Sequence, residues 1–142
     1  MNIVIDTNIF ISALIKEGIC REILTNFKMN FLFPEFEFEE IKNHKEEIIR
    51  KTGLTEREFD VLFLRLVKYV KIIPAYFSRA YKEKAIQIIS KIDPNDVQFI
   101  ATALAFNCPV WSDDKHFKKQ KAVRIFTTKE IIKTFKNESK AI

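Results

Sequence analysis

Short runs of β-branched or aromatic residues recur along this chain, and a longer stretch of helical spacing follows each one. That alternation limits the possible fold more than any other feature. Ile3-Val4-Ile5, Phe31-Leu32-Phe33, Val70-Lys71-Ile72-Ile73, Pro109-Val110-Trp111 and Val123-Arg124-Ile125-Phe126 read as strands. Helical patterns run from about Ile9 to Ile15, Cys20 to Phe27, Phe38 to Arg50 and Arg79 to Ser90. The third of these puts Ile41, Ile48 and Ile49 on its core side, and Gly53 stops it. Thr55-Glu56-Arg57-Glu58 has the form of a capping box, opening a helix that carries Phe59, Leu62, Phe63 and Leu66. Asp93 as N-cap, with Pro94 at the first helical position, opens another. Val97, Phe99, Ile100, Ala101, Ala103 and Leu104 make that helix apolar nearly all round, so it should be buried. Thr127-Thr128-Lys129-Glu130 caps the last helix. Strands separated by helices imply right-handed crossovers and an α/β three-layer sandwich, with a central, mostly parallel twisted sheet flanked by helices. One stretch resists: Phe36-Glu37-Phe38-Glu39 alternates like a strand where the pattern needs a helix to begin, and helix is the expectation kept here.

Length and composition fit such a fold. At 142 residues the expectation is one domain over 1–142, and a chain of about 150 residues buries roughly 68–70% of its unfolded surface without needing disulfides. Only 2 glycines are present, which argues against a Gly-rich phosphate loop. The 24 Lys+Arg against 19 Asp+Glu leave a net charge of +5, which suits an anionic partner without demanding one. Cys20 and Cys108 are not spaced as a metal knuckle and read as two buried thiols in a reducing compartment. No run approaches the ~18 apolar residues of a membrane span, and no basic segment with a long apolar core opens the chain. The expected setting is the cytoplasm, with no membrane partner.

In open α/β sheets, sites form beyond the carboxyl ends of the strands. Asp6 follows the first strand directly, and Ser112-Asp113-Asp114 follows Val110-Trp111 directly. Asp96 lies in the first turn of its helix, and Glu40 lies early on the helix after Phe31-Leu32-Phe33. Each acid alone has an ordinary explanation as a cap, a dipole partner, a turn residue or part of a solvated face. Their conjunction at one sheet edge does not.

Asp6-Thr7-Asn8 after a first strand, Glu40-Ile41 on a long helix, Asp93-Pro94-Asn95-Asp96 before Phe99-Ile100-Ala101, and Trp111-Ser112-Asp113-Asp114 together resemble the PIN domain. The resemblance runs over essentially the whole chain, in order. It implies a catalytic acidic quartet of Asp6, Glu40, Asp96 and Asp114, with Asn8 and Ser112 orienting it. Glu39 competes for the second place, but the family's Glu usually precedes an aliphatic residue, as Glu40 precedes Ile41. One departure stands out: the fourth motif often ends in a second Asp where this chain has His116, so a second metal should bind weakly unless Asp93 or Asp113 compensates.

Crowded carboxylates repel one another, and a divalent cation relieves that. Hard oxygen ligands without clustered Cys or His select Mg²⁺ or Mn²⁺. Asp6 and Asp96 are the expected central metal ligands, with Asp114 and Glu40 completing the site. The resemblance implies single-stranded RNA as substrate and a metal-dependent endoribonuclease as the activity, with the toxin of a toxin–antitoxin pair as one setting. Lys115, Lys118 and Lys119, with Lys121 and Arg124 beyond, lie just past the fourth motif and are candidate phosphate contacts. Phe10, Phe117 and Tyr76 are weaker candidates for base stacking, since core packing explains each equally well. His44 stands one turn after Glu40 and is either a positioning group or an ordinary surface histidine. The competing class is a PIN-fold module that binds nucleic acid or protein with little or no catalysis. An Asp-x-Asp phosphatase is disfavoured by Asn8, and a receiver domain by the single acid ending the first strand. A homodimer is expected from the resemblance, with Phe59 or Phe63 in the Thr52–Leu66 segment as the apolar contact, and the same surface could take an antitoxin peptide.

Overall fold

A computed structural model describes residues 1–138. Ile3, Val4 and Ile5 are fully buried, as three β-branched residues in a row require, and they form the central strand β1 (Asn2–Ile5). Helices α1 (Thr7–Ile15) and α2 (Ile19–Asn26) lead to β2 (Asn30–Pro34), which pairs parallel to β1 with Val4 opposite Leu32. Three helices follow, α3 (Glu35–Asn43), α4 (Lys45–Thr52) and α5 (Glu56–Val67), before β3 (Val70–Ile73) takes the outer place beside β2. The chain then returns through α6 (Ala75–Ser78), α7 (Lys82–Ile89) and α8 (Val97–Phe106) to the other side of β1. There it lays down β4 (Val110–Trp111) and β5 (Ile125–Phe126), and ends on α9 (Thr128–Phe135). The described residues form one sheet of five parallel strands in the order β3-β2-β1-β4-β5. Helices cover both faces, so the expected three-layer α/β sandwich is the observed one.

Helix α8, apolar nearly all round, is the innermost helix. It crosses β1, β2 and β4 and carries α6 and α7 on its outer side. A ladder of phenylalanines fills the other half of the core. Phe38 stacks on Phe63 at 5.2 Å, Phe63 on Phe59 at 5.6 Å, and Phe10 bridges from Phe63 to Phe33 of β2 at 5.9 and 5.4 Å. Phe59 is 2% exposed. Phe59 therefore packs within its own chain and is not the free apolar contact expected for a second copy, whereas Phe63 is half-buried against the same core. Phe10 and Phe117 are likewise fully buried, which removes both from base stacking, whereas Tyr76 is exposed and stacked on Phe77. Cys20 and Cys108 are half-buried free thiols rather than buried ones.

Three elements differ from their sequence pattern. The helix expected over 38–50 begins at Glu35, directly after Pro34, and breaks at His44, whose φ of −101° and ψ of 15° leave the helical region. The break lets α4 turn onto α5, where Lys45 pairs with Asp60 at 2.6 Å and Glu56 at 3.1 Å. The helix expected from Arg79 to Ser90 starts as a 3₁₀ turn over Arg79–Tyr81. The last strand is shortened because the buried side chain of Gln120 takes both backbone polar groups of Val123. Its Oε1 accepts from the Val123 N–H at 2.9 Å, and its Nε2 donates to the Val123 carbonyl at 2.8 Å. Val123 thus has no N–H left to offer the ladder.

Candidate functional site

The strand order reverses at β1. The chain builds outward through β2 to β3, then comes back to place β4 and β5 on the opposite side. Ligand sites in open α/β sheets form at such a reversal, beyond the carboxyl ends of the strands. Asp6 leaves the end of β1, Ser112 and Asp114 leave the end of β4, and Asp96 reaches the same place from the turn before α8. A cavity of about 810 Å³ there is lined by Asp6, Asn8, Glu37, Glu40, Asp93, Asp96 and Asp114, among others.

Asp6 is 4% exposed and fully engaged. It caps α1 by accepting from the Ile9 N–H on Oδ1 at 2.8 Å, and the Ser112 hydroxyl donates to Oδ2. Ser112 Oγ in turn accepts from the Asp114 N–H at 3.0 Å, so one buried serine ties the acid of β1 to the loop after β4. Asp96 is 7% exposed, and its Oδ2 is buried with no hydrogen-bond partner among the described residues. Burial pushes the Asp6 carboxyl from 3.8 up to about 6, against the pull of the Ser112 and Ile9 donors, with a small push from Asp113 and Asp114. Burial is also the main cause at Asp96, raised from 3.8 to about 7, with repulsion from Asp93, Asp114, Asp6 and Glu37 added. The orphaned oxygen of Asp96, the mutual repulsion and the oxygen-rich lining fit a hard divalent cation, and among the described residues Asp93, Asp114 and His116 are the group whose ligand atoms all lie within 4.8 Å of one another.

A family model for the PIN domain matches residues 4–136. The chain belongs to the PIN domain family. Members of that family are in general nucleases that use divalent metals. A chain in the crystal structure of VapBC2 from Rickettsia felis, bound to a DNA fragment from its promoter, superposes on this PIN domain with a TM-score of 0.68. That alignment covers 89% of this chain and 98% of the other at 14% identity. No curated protein sequence matches.

The remaining expected residues of this PIN domain divide by where their side chains go. Asn8 and Glu40 line the cavity, and Glu40 stands 3.3 Å from Nε2 of His44. Glu39 pairs with Lys42 in solvent at 3.7 Å and is not among the lining residues. Asp93 caps the turn before α8, with the Asn95 N–H donating to Oδ1 at 2.9 Å, and it also lines the cavity. Asp113 does not: it accepts from the Thr128 N–H at 2.7 Å and the Thr128 hydroxyl at 2.6 Å, holding the start of α9. Lys118 is paired with Glu130, and none of Lys115, Lys118 and Lys119 lines the cavity. Among the described residues, Lys82 of α7 is the one lining side chain with a permanent positive charge.

Two contributors escaped the sequence. Glu37 accepts from the Thr7 hydroxyl at 3.4 Å, and burial raises its carboxyl above the usual range, with Glu40 adding repulsion. The alternation Phe36-Glu37-Phe38-Glu39 hid it, because helical spacing, not strand spacing, sends Glu37 and Glu40 to one face. Lys82 carries no local signal, since it reaches the cavity only through the crossover from β3 to β4.

Proposed function

We propose that this PIN domain is a metal-dependent endoribonuclease, and that it acts as the toxin of a toxin–antitoxin pair. One observation carries the reading: two buried carboxylates, one with an orphaned oxygen, stand together where the strand order reverses. Asp6, Asp96 and Asp114 would hold a Mg²⁺ or Mn²⁺ ion, which when bound supplies a polarised phosphoryl oxygen and an activated water. Ser112 fixes the orientation of Asp6, and the capping bond from Ile9 fixes its other oxygen. Glu37 and Glu40, on the α3 side of the cavity, would take the proton of an attacking water, and burial raises the carboxyl of Glu37 above its ordinary range. Lys82 would hold a substrate phosphate against this acidic lining.

The likeness to a chain of VapBC2 supports an antitoxin partner. A second copy of this chain would meet the outer side of α5, where Val61 and Leu64 stand exposed while Phe59 does not. Sedimentation velocity reads that part, and a monomer at all concentrations overturns it. For the activity, purified protein is incubated with single-stranded RNA and Mn²⁺ or Mg²⁺, with and without EDTA. Cleavage that EDTA abolishes, and that Asp6→Asn lowers by about a hundredfold, is the expected result, since even outer-shell partners of a metal are worth 10–100-fold. Cleavage unchanged in Asp6→Asn would overturn the reading.

A further inference from the structure

Large apolar side chains scattered singly in water are ordinary on a protein surface, whereas a gathered set marks a contact. Here they gather on one side. Tyr76, Phe77, Tyr81 and Ile86 stand exposed along the segment from α6 to α7, and Phe36 stands exposed at the start of α3. The two starts adjoin, since the Ala75 N–H donates to Oε2 of Glu35 at 3.4 Å. Phe36, Lys82 and Ile86 also line the acid cavity, so the patch continues into it. Along α7, Lys82, Ile86 and the following Ser90 recur at intervals of four, the spacing of one helix face, and this wall of the cavity carries no acid. Phe36 is 55% exposed, although Phe38 from the same alternating run stacks on Phe63 in the core. Tyr76 is 63% exposed and stacks on Phe77 at 4.3 Å, and Phe77 leans on Phe106 of α8 at 5.9 Å. One face of the Tyr76 ring is thus backed by the core while the rest stays in water. Arg79, Lys82 and Lys84 are interleaved with these rings against a single acid, Glu83. Among the described residues, none of the three cations is ion-paired.

We infer that Phe36, Tyr76, Tyr81 and Ile86, with Arg79 and Lys82 between them, form a stacking platform for the unpaired bases of a single RNA strand that enters the acid cavity. Rings set among cations suit that ligand, because every base has a face to stack while its phosphate meets the charge. A duplex keeps its bases stacked on one another and offers no face to Phe36 or Tyr76, so the platform selects single strands. A second copy of this chain suits the patch less well, because it would bring its own Arg79, Lys82 and Lys84 against their like. The cavity beside the platform, about 810 Å³, has the size of sites that hold a whole small ligand rather than an ion alone. That the stacked strand is then cut rests on the nuclease reading; its stacking does not.

The test is fluorescence anisotropy on the full chain in EDTA, with a labelled single-stranded RNA, the same strand made abasic, and its duplex. The parent protein should bind the single strand at least about tenfold more tightly than either of the others. Phe36→Ala and Tyr76→Ala should each weaken single-strand binding roughly fivefold to a hundredfold, as the loss of one stacked base does, and leave the abasic strand unaffected. Both side chains are exposed, so these variants keep the fold. Phe36→Tyr should bind as the parent does, and Phe36→Leu, apolar but without a ring, should not. Equal affinity for the normal and abasic strands, or a preference for the duplex, overturns the inference. So does RNA binding indifferent to both alanine variants while sedimentation velocity shows that they break a dimer, which would give the patch to a second copy. Because no cleavage is read, a chain that stacks single strands yet cuts none would sink the nuclease reading and leave the platform standing. A chain that cuts RNA with Mn²⁺ but binds abasic strands equally well would sink the platform alone.

Discussion

A carboxylate that loses its water on folding must find another partner, and Oδ2 of Asp96 has none among the described residues. In the metal-free protein that side chain is therefore a liability which only a cation or a proton relieves. Asp96→Asn removes the charge and keeps the shape. At about pH 8 it should raise the melting temperature of the metal-free protein by a few degrees, as roughly 1 kcal/mol does in a domain of this size, while cleavage falls about a hundredfold or more. Calorimetry and an RNA cleavage assay on one preparation read both; a variant less stable than its parent would contradict this account of Asp96. Charge on the substrate side follows similar reasoning. Lys82 is the one permanently charged cation of the acidic lining among the described residues, whereas Lys118 is already met by Glu130, whose carboxyl it helps hold down at about 2. Lys82→Ala should reduce the salt dependence of RNA binding by roughly one phosphate contact, and Lys118→Ala by less. Fluorescence anisotropy across a salt series decides between them, and equal slopes would remove Lys82 from the substrate path.

Among the elements, α4 shows how a local signal can fix a boundary. Gly53 closes it in the left-handed region at φ 76°, with its N–H donating to the Ile49 carbonyl at 2.9 Å. A Cβ there meets nothing within 4 Å, so Gly53→Ala carries the backbone cost alone. It should lower stability by about 1 kcal/mol and leave cleavage untouched, as thermal melts beside the cleavage assay will show; a neutral melt would mean the terminus simply frays. This kind of boundary was legible in the sequence, as were the capping boxes at Thr55 and Thr127, each made with its Glu three positions on. The strand runs and the buried α8 were legible because burial on both faces writes itself as uninterrupted apolar residues. The break at His44 was not, because it exists to turn α4 onto α5, and that contact is set by Lys45, Glu56 and Asp60 from two elements. Nor was the short β5, whose limit is set by the side chain of Gln120 rather than by any strand breaker. The acids at the ends of β1 and β4 could be read from their positions, while Glu37 and Lys82 needed the helix phase and the crossover.

For the molecule as a whole, the paired acids couple folding to both protons and metal. Asp6 and Asp96 bind protons more tightly folded than unfolded, with carboxyls at about 6 and about 7 against an ordinary 3.8. Between those values the folded state holds more protons than the unfolded chain, so metal-free stability falls as pH rises through that range and levels off above it. At about 1.4 kcal/mol for each tenfold change in proton affinity, the pair costs on the order of a few kcal/mol near pH 8 relative to pH 5. The depressed carboxyl of Glu130 acts in the opposite direction but below its ordinary 4.5, outside this window. The metal-free protein should therefore melt several degrees higher at about pH 5 than at pH 8. Saturating Mn²⁺ should narrow that difference, because the ion binds the ionised acids and adds about 2.7 kcal/mol at a hundred times its dissociation constant, most of it where protons no longer compete. Differential scanning calorimetry across pH, with Mn²⁺ or with EDTA, reads the two curves together. Parallel curves would mean that Asp6 and Asp96 are not the groups through which the ion holds this fold.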